Sequence, residues 1–226
     1  MKLYKLTDEH DQTYGGCQWG PGVTVETSGK GGLCGPGFTH WYTHPLLAAL
    51  LNPVHGRFNL DTAHLWEGEG EPVKTDYGLK VGCTKATTLR RVDLPKATTA
   101  QRVRFGILCA MAVYTSVEWR AWAEGWLSGA DRSKEAAWAE AARAEGWLSG
   151  ADRSKEAAWA WAAARAAAWA PWPAAAKEAK EAAAWAAAGA ARAAEAAADA
   201  AAKPGFDLIA LAEEAMKEAT DGHQTQ

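Results

Sequence analysis

Cysteine is scarce in this sequence, and its spacing indicates no metal or redox motif. Only four cysteines occur among 226 residues, at positions 17, 34, 83 and 109, and none forms a C-x-x-C pair. Since no secretory signal precedes them, we expect free thiols in a reducing cytoplasm rather than a disulfide-bonded scaffold.

An excess of positive charge and long apolar runs are also missing. The 24 Lys and Arg residues face 27 Asp and Glu residues, which gives a net charge of −3. Because nucleic-acid-binding domains are usually basic, we expect no nucleic-acid partner. The most apolar stretch, Ala157–Ala170, contains Arg165 and is shorter than the about 20 residues that a membrane span needs. We therefore expect no membrane insertion.

Motifs of phosphate, metal or cofactor binding are absent as well. The glycine-rich stretch Ser28–Gly32 lacks the G-x-x-x-x-G-K-[ST] pattern, so we interpret it as a turn. The histidines do not have the tight pairwise spacing of structural zinc ligands. The sequence predicts neither a cofactor nor a metal site, and no catalytic residues.

What the amino-terminal part does contain is a mixture of strand-like segments and one helix. Pro45 and the leucines after it predict a short helix, capped by Thr43 or His44 and ended by Asn52-Pro53. Several segments have the composition of strands: Met1–Leu6, Val23–Val25, Leu65–Glu69, Leu79–Thr84 and Thr87–Val92. Residues 1–96 are therefore predicted to form a small α+β domain, with a mixed sheet and a short helix.

The rest of the chain indicates an all-α, Ala/Trp-rich region. It opens at Thr98-Thr99-Ala100-Gln101, which is a capping box. We expect packing helices over residues 97–128, Ala/Trp-rich repeat helices over 129–203, and a last helix with a frayed tail over 204–226.

A perfect duplication lies inside this region. The segment Ala123–Ala139 returns letter for letter as Ala144–Ala160. Gly129 is placed to end a helix and Asp131 to cap the next one, which favours helical hairpins. One continuous helix is the alternative, because the offset is a whole number of heptads. The duplication is either a tolerated copy or a device for spacing or assembly.

Tryptophan is concentrated in the helical half. Alanine helices bury little apolar area, whereas each tryptophan ring buries on the order of 200 Å². Either the helices pack within the chain, or they self-associate through tryptophans of the repeats and of the segment after them. The candidate residues for self-association are Trp126, Trp138, Trp147, Trp159 and Trp169.

Six short segments of the amino-terminal part form a recognisable succession: Lys2–Lys5, Trp19–Gly22, Gly37–His40, Pro45-Leu46, Leu65–Glu67 and Leu79–Val81. This succession resembles a small uncharacterised α+β domain of phage and bacterial proteins. The resemblance covers about residues 1–95 and extends, in composition, to the Ala/Trp/Arg-rich helical tail. Thr39 departs from the family pattern, which has His directly after Phe. The resemblance implies a phage or prophage origin and no particular activity.

A ligand site is predicted where aromatic rings and histidines surround the glycine-proline patches. Such rings with a few polar groups are typical of sites for a base or a ribose. The candidate residues are Trp19, His40, Trp41, Tyr42 and His44. We expect a non-enzymatic, cytoplasmic accessory protein that binds either a small ligand, such as a nucleotide signal, or a host component, and that self-associates.

Two alternatives remain open. The stretch Gly35–Phe38 is similar to the G-x-G segment of ADP-ribosyltransferase-like folds, which implies an ADP-ribosyl-transferring or NAD-cleaving enzyme. In that case His40, Tyr42 and either Glu67 or Glu69 would form the site. The other alternative is a purely structural protein that assembles into a filament or acts as a spacer.

Overall fold

The computed structural model describes residues 1–148, 162–168, 185–186, 188–194 and 207–217, and for 143–148 the backbone alone. It divides into two compact units, Met1–Lys96 and Ala97–Gln226. The first unit combines strands with one helix and the second is helical in its described parts, which confirms the predicted α+β class.

The first unit consists of antiparallel strands around one helix. Every strand pairing is antiparallel, so the sheet is not the mixed one that was expected. Successive antiparallel strands need only short turns, whereas parallel pairs need long crossovers. The elements are β1 (Lys2–Thr7), β2 (Gln12–Thr13), a 3-10 turn (Tyr14–Gly16), β3 (Cys17–Gln18), β4 (Thr24–Glu26), β5 (Thr39–Trp41), α1 (Pro45–His55), β6 (His64–Asp76) and β7 (Lys80–Val92).

Four of these strands close into a ring. The sheet runs β1-β6-β7, and β4 and β5 pair with successive parts of the other edge of β7. Just beyond β5, Tyr42 exchanges two backbone hydrogen bonds of 2.8 and 2.9 Å with Tyr4 of β1. The order β1-β6-β7-β5 therefore returns to β1, and one face of each strand points into a common core.

The long hairpin of β6 and β7 corrects the predicted strand boundaries. We expected separate strands at Leu79–Thr84 and Thr87–Val92, but β7 runs through both. The chain reverses earlier, at Tyr77 and Gly78, whose φ angles of 46° and 87° lie in the left-handed region. Two consecutive left-handed residues match the twist of a tight hairpin turn.

The helix α1 begins as predicted and ends later. His44 caps it, because its Nδ1 accepts the Leu46 amide proton at 3.3 Å. Pro53 does not end the helix, which continues to His55. Asn52 stabilises the exit instead: its side chain donates to Phe58 O and accepts from Phe58 N, both at 2.9 Å.

In the second unit the described helices are α2 (Thr99–Val113), α3 (Val117–Ser128), α4 (Lys134–Leu148), the helical residues 162–168, 185–186 and 188–194, and α5 (Leu208–Met216). The predicted capping box at Thr98 and Gln101 is present, with both of its hydrogen bonds. Gln101 and Arg104 of α2 also bond to α5, at Met216 O and at the Glu214 carboxylate.

The first copy of the duplication forms a helical hairpin. Gly129 ends α3 with a φ of 82°, as predicted for a helix C-terminus. Asp131 is not the cap of the next helix. It accepts the Ser133 amide at 2.8 Å, and the Ser133 hydroxyl accepts the Ala136 amide at 3.3 Å at the start of α4. In the second copy, Gly150 and Asp152 lie outside the described residues.

Alanine fills much of the core of this unit. Five alanines of the segment 162–168 are at most 1% exposed, and at 3.6 residues per turn they cover more than half of the helix circumference. Backbones approach closely here, since a Cβ added at Gly106 of α2 would lie 2.8 Å from Ala190 Cα. Trp119 and Trp126 supply the large side chains of the same core. Among the described helices, none combines the length and the apolar character needed to cross a bilayer.

Candidate functional site

The two tryptophans expected at the rim of a cleft lie in the core of the strand ring instead. Trp19 is 2% exposed and Trp41 is fully buried. Their rings pack edge to face, with centroids 5.3 Å apart. Each indole N–H is satisfied locally at 2.9 Å, by the Thr13 and Thr39 hydroxyls respectively. These rings therefore stabilise the fold and are not available as a surface for a ligand.

Glycines on β6 explain why the core admits such large rings. A Cβ at Gly68 would lie 2.7 Å from the Trp41 ring and 2.4 Å from Thr87 O. At Gly70, a Cβ would lie 2.8 Å from the Ala86 side chain. The alternating Glu-Gly-Glu-Gly pattern thus directs glycines to the crowded inner face.

Lys5 places a positive charge inside this core. Its Nζ donates to His40 O at 2.8 Å and lies 4.8 and 5.6 Å from the ring centroids of Trp19 and Trp41. Burial lowers the pKa of Lys5 to about 8, because desolvation penalises the ammonium. The backbone carbonyl and the two aromatic faces compensate part of that cost.

The other predicted ligand residues share the outer side of β5. His40 is half-buried, and its Nε2 donates a hydrogen bond to Leu33 O. The Tyr42 hydroxyl lies 3.3 Å from His55 Nδ1, and the two rings stack at 5.9 Å. His44 follows as the helix cap, its Nδ1 accepting a backbone proton.

Lys80 belongs to the same side, although the sequence did not point to it. His40 pairs with Gly82 of β7, and Lys80 stands two residues away on the same face of that strand. Its side chain is 11% exposed, with Nζ 3.6 Å from the Asp76 carboxylate. We name the set His40, Tyr42, His55 and Lys80 the β5 face.

The positive charges around His40 favour the binding of an anion at the β5 face. Burial is the main cause that lowers the pKa of His40, and the positive charges of Lys5, Lys80 and His55 lower it further. The bond to Leu33 acts in the opposite direction. Burial also raises the pKa of Tyr42, which keeps its phenol neutral.

The glycine loop before β5 is already bonded to itself. Gly29 N donates to Gly37 O at 2.8 Å, and Gly35 N donates to Gly32 O at 3.0 Å. Lys30 N donates to the Ser28 hydroxyl at 3.3 Å. These amides serve the loop itself, as the interpretation of this stretch as a turn requires.

Glu67 and Glu69 are not brought to the β5 face. Glu67 pairs with Lys2 at 3.1 Å and with Arg90 at 2.9 Å on the outer side of β6. In the sheet, Glu67 lies opposite Tyr4, which in turn lies opposite Tyr42. Two strand spacings, about 10 Å, therefore separate Glu67 from Tyr42.

A second cluster, which we name the Asp11 cluster, comprises Asp11, His64, Trp66 and Arg91. Asp11 Oδ1 lies 2.8 Å from His64 Nδ1 and accepts from Trp66 Nε1 at 2.9 Å. Its other oxygen accepts from the Arg91 guanidinium, which lies over the Trp66 ring at 5.3 Å. Burial would raise the pKa of Asp11, but hydrogen bonds from Trp66, Arg91 and His64 lower it below its ordinary value.

Sequence reasoning missed most of this cluster. His64, Trp66 and Arg91 are 53, 55 and 80 residues from Asp11 in the chain. Asp11 has a φ of 60°, a left-handed conformation that Asp tolerates better than most residues. Within the described parts of the chain, no three His, Cys, Asp or Glu side chains converge as a metal site requires.

The tryptophans predicted to mediate self-association differ in accessibility. Trp126 is 3% exposed in the core of its own unit, and the Arg132 guanidinium lies 4.9 Å from its ring centroid. Trp138 remains 36% exposed, with Arg165 5.8 Å from its ring centroid. Trp147 is on α4 but its side chain is not described, and Trp159 and Trp169 lie outside the described residues.

Comparisons with protein-family models, with curated protein sequences and with solved structures each returned no match for this chain. The resemblance to a phage and bacterial domain therefore stays a prediction, as does the origin that it implies.

Proposed function

We propose that this chain is a non-enzymatic binding protein. Its first unit binds a small anionic ligand, such as a nucleotide, at the β5 face, and its helical unit self-associates. These roles are consistent with an accessory protein that acts in the cytoplasm. The sequence resemblance suggests that it is of phage origin.

The observation that supports the binding role is the concentration of basic groups around His40. Lys80 and His55 lie on its own side of the sheet, and Lys5 bonds to its backbone carbonyl from the inner side. Partly buried charges interact more strongly than solvated ones, because the effective dielectric is lower. A bound anion would join the Asp76 carboxylate in balancing the positive charge of Lys80.

Exposed indoles support the association of the helical unit. Trp138 is 36% and Trp185 is 61% exposed, although this unit buries Trp119 and Trp126 almost completely. An indole left in water forgoes an apolar contribution of about 2 kcal/mol or more. A second copy of the chain would cover these rings.

Isothermal titration with adenosine monophosphate tests the binding role, and Lys80→Met is the decisive variant. We expect at least about a tenfold loss of affinity, the equivalent of about 1.4 kcal/mol. Lys85→Met is the matched control, because Lys85 is a 69% exposed lysine of the same strand, paired with Glu26. Its affinity should equal that of the wild type.

The same titration separates binding from the enzymatic alternative. Glu67→Gln should leave the affinity for adenosine monophosphate unchanged, and the nucleotide should be recovered intact from the calorimeter. Equal affinities for Lys80→Met and Lys85→Met would contradict the assignment of the β5 face. If the protein consumes nicotinamide adenine dinucleotide, and Glu67→Gln or Glu69→Gln abolishes that activity, the protein is an enzyme and not a binding protein.

A further inference from the structure

We propose that His64 is a phosphoryl acceptor, which Asp11 positions and Arg91 assists by binding the incoming anionic group. The substrate class is a small, activated phosphoryl donor such as a phosphoramidate. This reaction is independent of the β5 face and goes beyond the binding role, since it would modify the protein itself.

The Asp11 carboxylate fixes the orientation of the His64 ring. Nδ1 of His64 lies 2.8 Å from Asp11 Oδ1, so Nδ1 carries the proton and the lone pair is on Nε2, at the far side of the ring. A carboxylate that binds one ring nitrogen sets the tautomer and stabilises the imidazolium that forms when the other nitrogen attacks. Trp66 holds the same carboxylate oxygen in place from the core side.

The guanidinium supplies the complementary charge for the phosphoryl group. Arg91 Nη2 bonds to Asp11 Oδ2, so His64 and Arg91 flank a single carboxylate. A guanidinium has five N–H donors in a planar fork, and its geometry matches phosphate oxygens. Arg91 thus keeps donors for an anion while it neutralises Asp11. It pairs with Trp66 across the hairpin, and His64 stands two residues from Trp66 on the same face of β6, so Arg91 lies diagonally across from His64.

Exposure in this cluster increases from the carboxylate outward. The side chain of Asp11 is 16% exposed, that of His64 is 27% exposed and that of Arg91 is 51% exposed. The positioning group is therefore shielded from water, while the accepting ring and the guanidinium are open to a small reagent.

The proposed step balances without any other reactant. The lone pair of His64 Nε2 attacks the phosphorus of phosphoramidate whose amino group is protonated, and the Nε2–P bond forms as the P–N bond of the donor breaks. Ammonia leaves with the electron pair of that bond. The Nδ1 proton stays on the ring, where the Asp11 carboxylate balances the positive charge.

The test compares two histidines in one molecule. His10, whose side chain is 74% exposed, also lies beside a carboxylate, Glu9, but at 3.7 Å and in open solvent. The folded full-length protein is treated with phosphoramidate at neutral pH, and phosphohistidine at each position is quantified over time by mass spectrometry under alkaline conditions. We expect His64 to react at least about ten times faster than His10, since a positioned carboxylate and guanidinium together contribute about 1.4 kcal/mol or more.

Variants separate the chemical role from a structural one. His64→Gln should abolish the fast site and leave His10 unchanged. Asp11→Asn and Arg91→Met should each reduce the His64 rate toward that of His10, and Arg91→Lys should restore part of it. The His10 rate and the near-ultraviolet circular dichroism of each variant report whether the fold is intact. A His64 rate at or below the His10 rate in the wild type would overturn the proposal, as would a full His64 rate in folded Asp11→Asn and Arg91→Met proteins.

Discussion

The two units of this molecule fill their cores in opposite ways. The strand unit uses a few large rings, Trp19 and Trp41, and makes room for them with glycines on the facing strand. Beside its own large rings, Trp119 and Trp126, the helical unit uses many alanines and lets backbones approach, as at Gly106 and Ala190. Both solutions reach close packing, but one depends on the shape of single side chains and the other on the absence of side-chain atoms.

This difference teaches where each unit is vulnerable. A core made of large rings loses much when one ring is removed, because the remaining structure collapses only partly around the cavity. A core made of alanine loses little from any one truncation, but it has no room for an added methyl group. The predictions below test this contrast, beginning with the largest expected effect.

Trp41→Ala should remove about 3–5 kcal/mol from the free energy of unfolding. The ring is fully buried and sits over Gly68, which has no side chain to fill the space. Urea unfolding, monitored through the hydrogen exchange of the β1 and β6 amides, measures the loss of stability in this unit. A loss below about 1 kcal/mol would mean that the rings are not the main source of stability here.

The contribution of Lys5 to the stability of the strand unit increases as the pH becomes alkaline. Its folded pKa of about 8 lies below the value of 10.5 for the unfolded chain. Between these values the unfolded state binds more protons, so the contribution of Lys5 to stability rises with pH. We expect a gain of about 2 kcal/mol between about pH 7 and about pH 9.5 relative to Lys5→Met.

Subtracting the pH dependence of the unfolding free energy of Lys5→Met from that of the wild type isolates the contribution of Lys5. Burial raises the pKa values of Tyr42 and Cys83, so these groups lower the stability as they titrate in the unfolded state. Both groups are present in both proteins, so the Tyr42 contribution cancels in the difference, and that of Cys83 cancels except for its electrostatic coupling to Lys5. Parallel stability curves for wild type and variant would show that Lys5 is not held in a desolvated core.

Adding one methyl group tests the helical unit. Gly106→Ala gains the helix propensity of alanine, about 1 kcal/mol, but its Cβ would lie 2.8 Å from Ala190 Cα. Overpacking costs about 1–3 kcal/mol, so the net effect should be a loss of about 1 kcal/mol. Gly125→Ala is the matched control, since Gly125 also lies within a helix and has nothing within 4 Å of its added Cβ.

Opposite signs for these two substitutions, measured as changes in the urea midpoint, would sharpen the contrast between the units. Gly125→Ala should stabilise by about 0.5–1 kcal/mol. Equal stabilisation by both would show that the alanine core has space to spare.

The local features of this fold were predictable, because they depend on neighbouring residues. The Thr98–Gln101 capping box and the left-handed Gly129 both follow from short-range hydrogen bonding. The strand Met1–Leu6 was also expected, and β1 covers Lys2–Thr7. Each of these needs only a few residues of context.

What could not be predicted depends on contacts between distant parts of the chain. Trp41 looked like a surface ring because nothing near it in sequence reveals the space above Gly68. Thr84 to Thr87 looked like a turn because pairing with both β6 and β4, which makes β7 continuous, is not encoded locally. The Asp11 cluster joins a turn to two strands far along the chain.

The proposed role of the helical unit depends on whether its exposed indoles meet a second copy. Size-exclusion chromatography with multi-angle light scattering, over a concentration series, measures this directly. We predict an oligomer for the wild type that becomes a monomer in Trp138→Ser/Trp185→Ser, with unchanged helix content, while Tyr14→Ser, which alters an exposed ring of the first unit, has no effect. A wild-type monomer at every concentration would contradict self-association and leave the alanine helices as the internal packing of one chain.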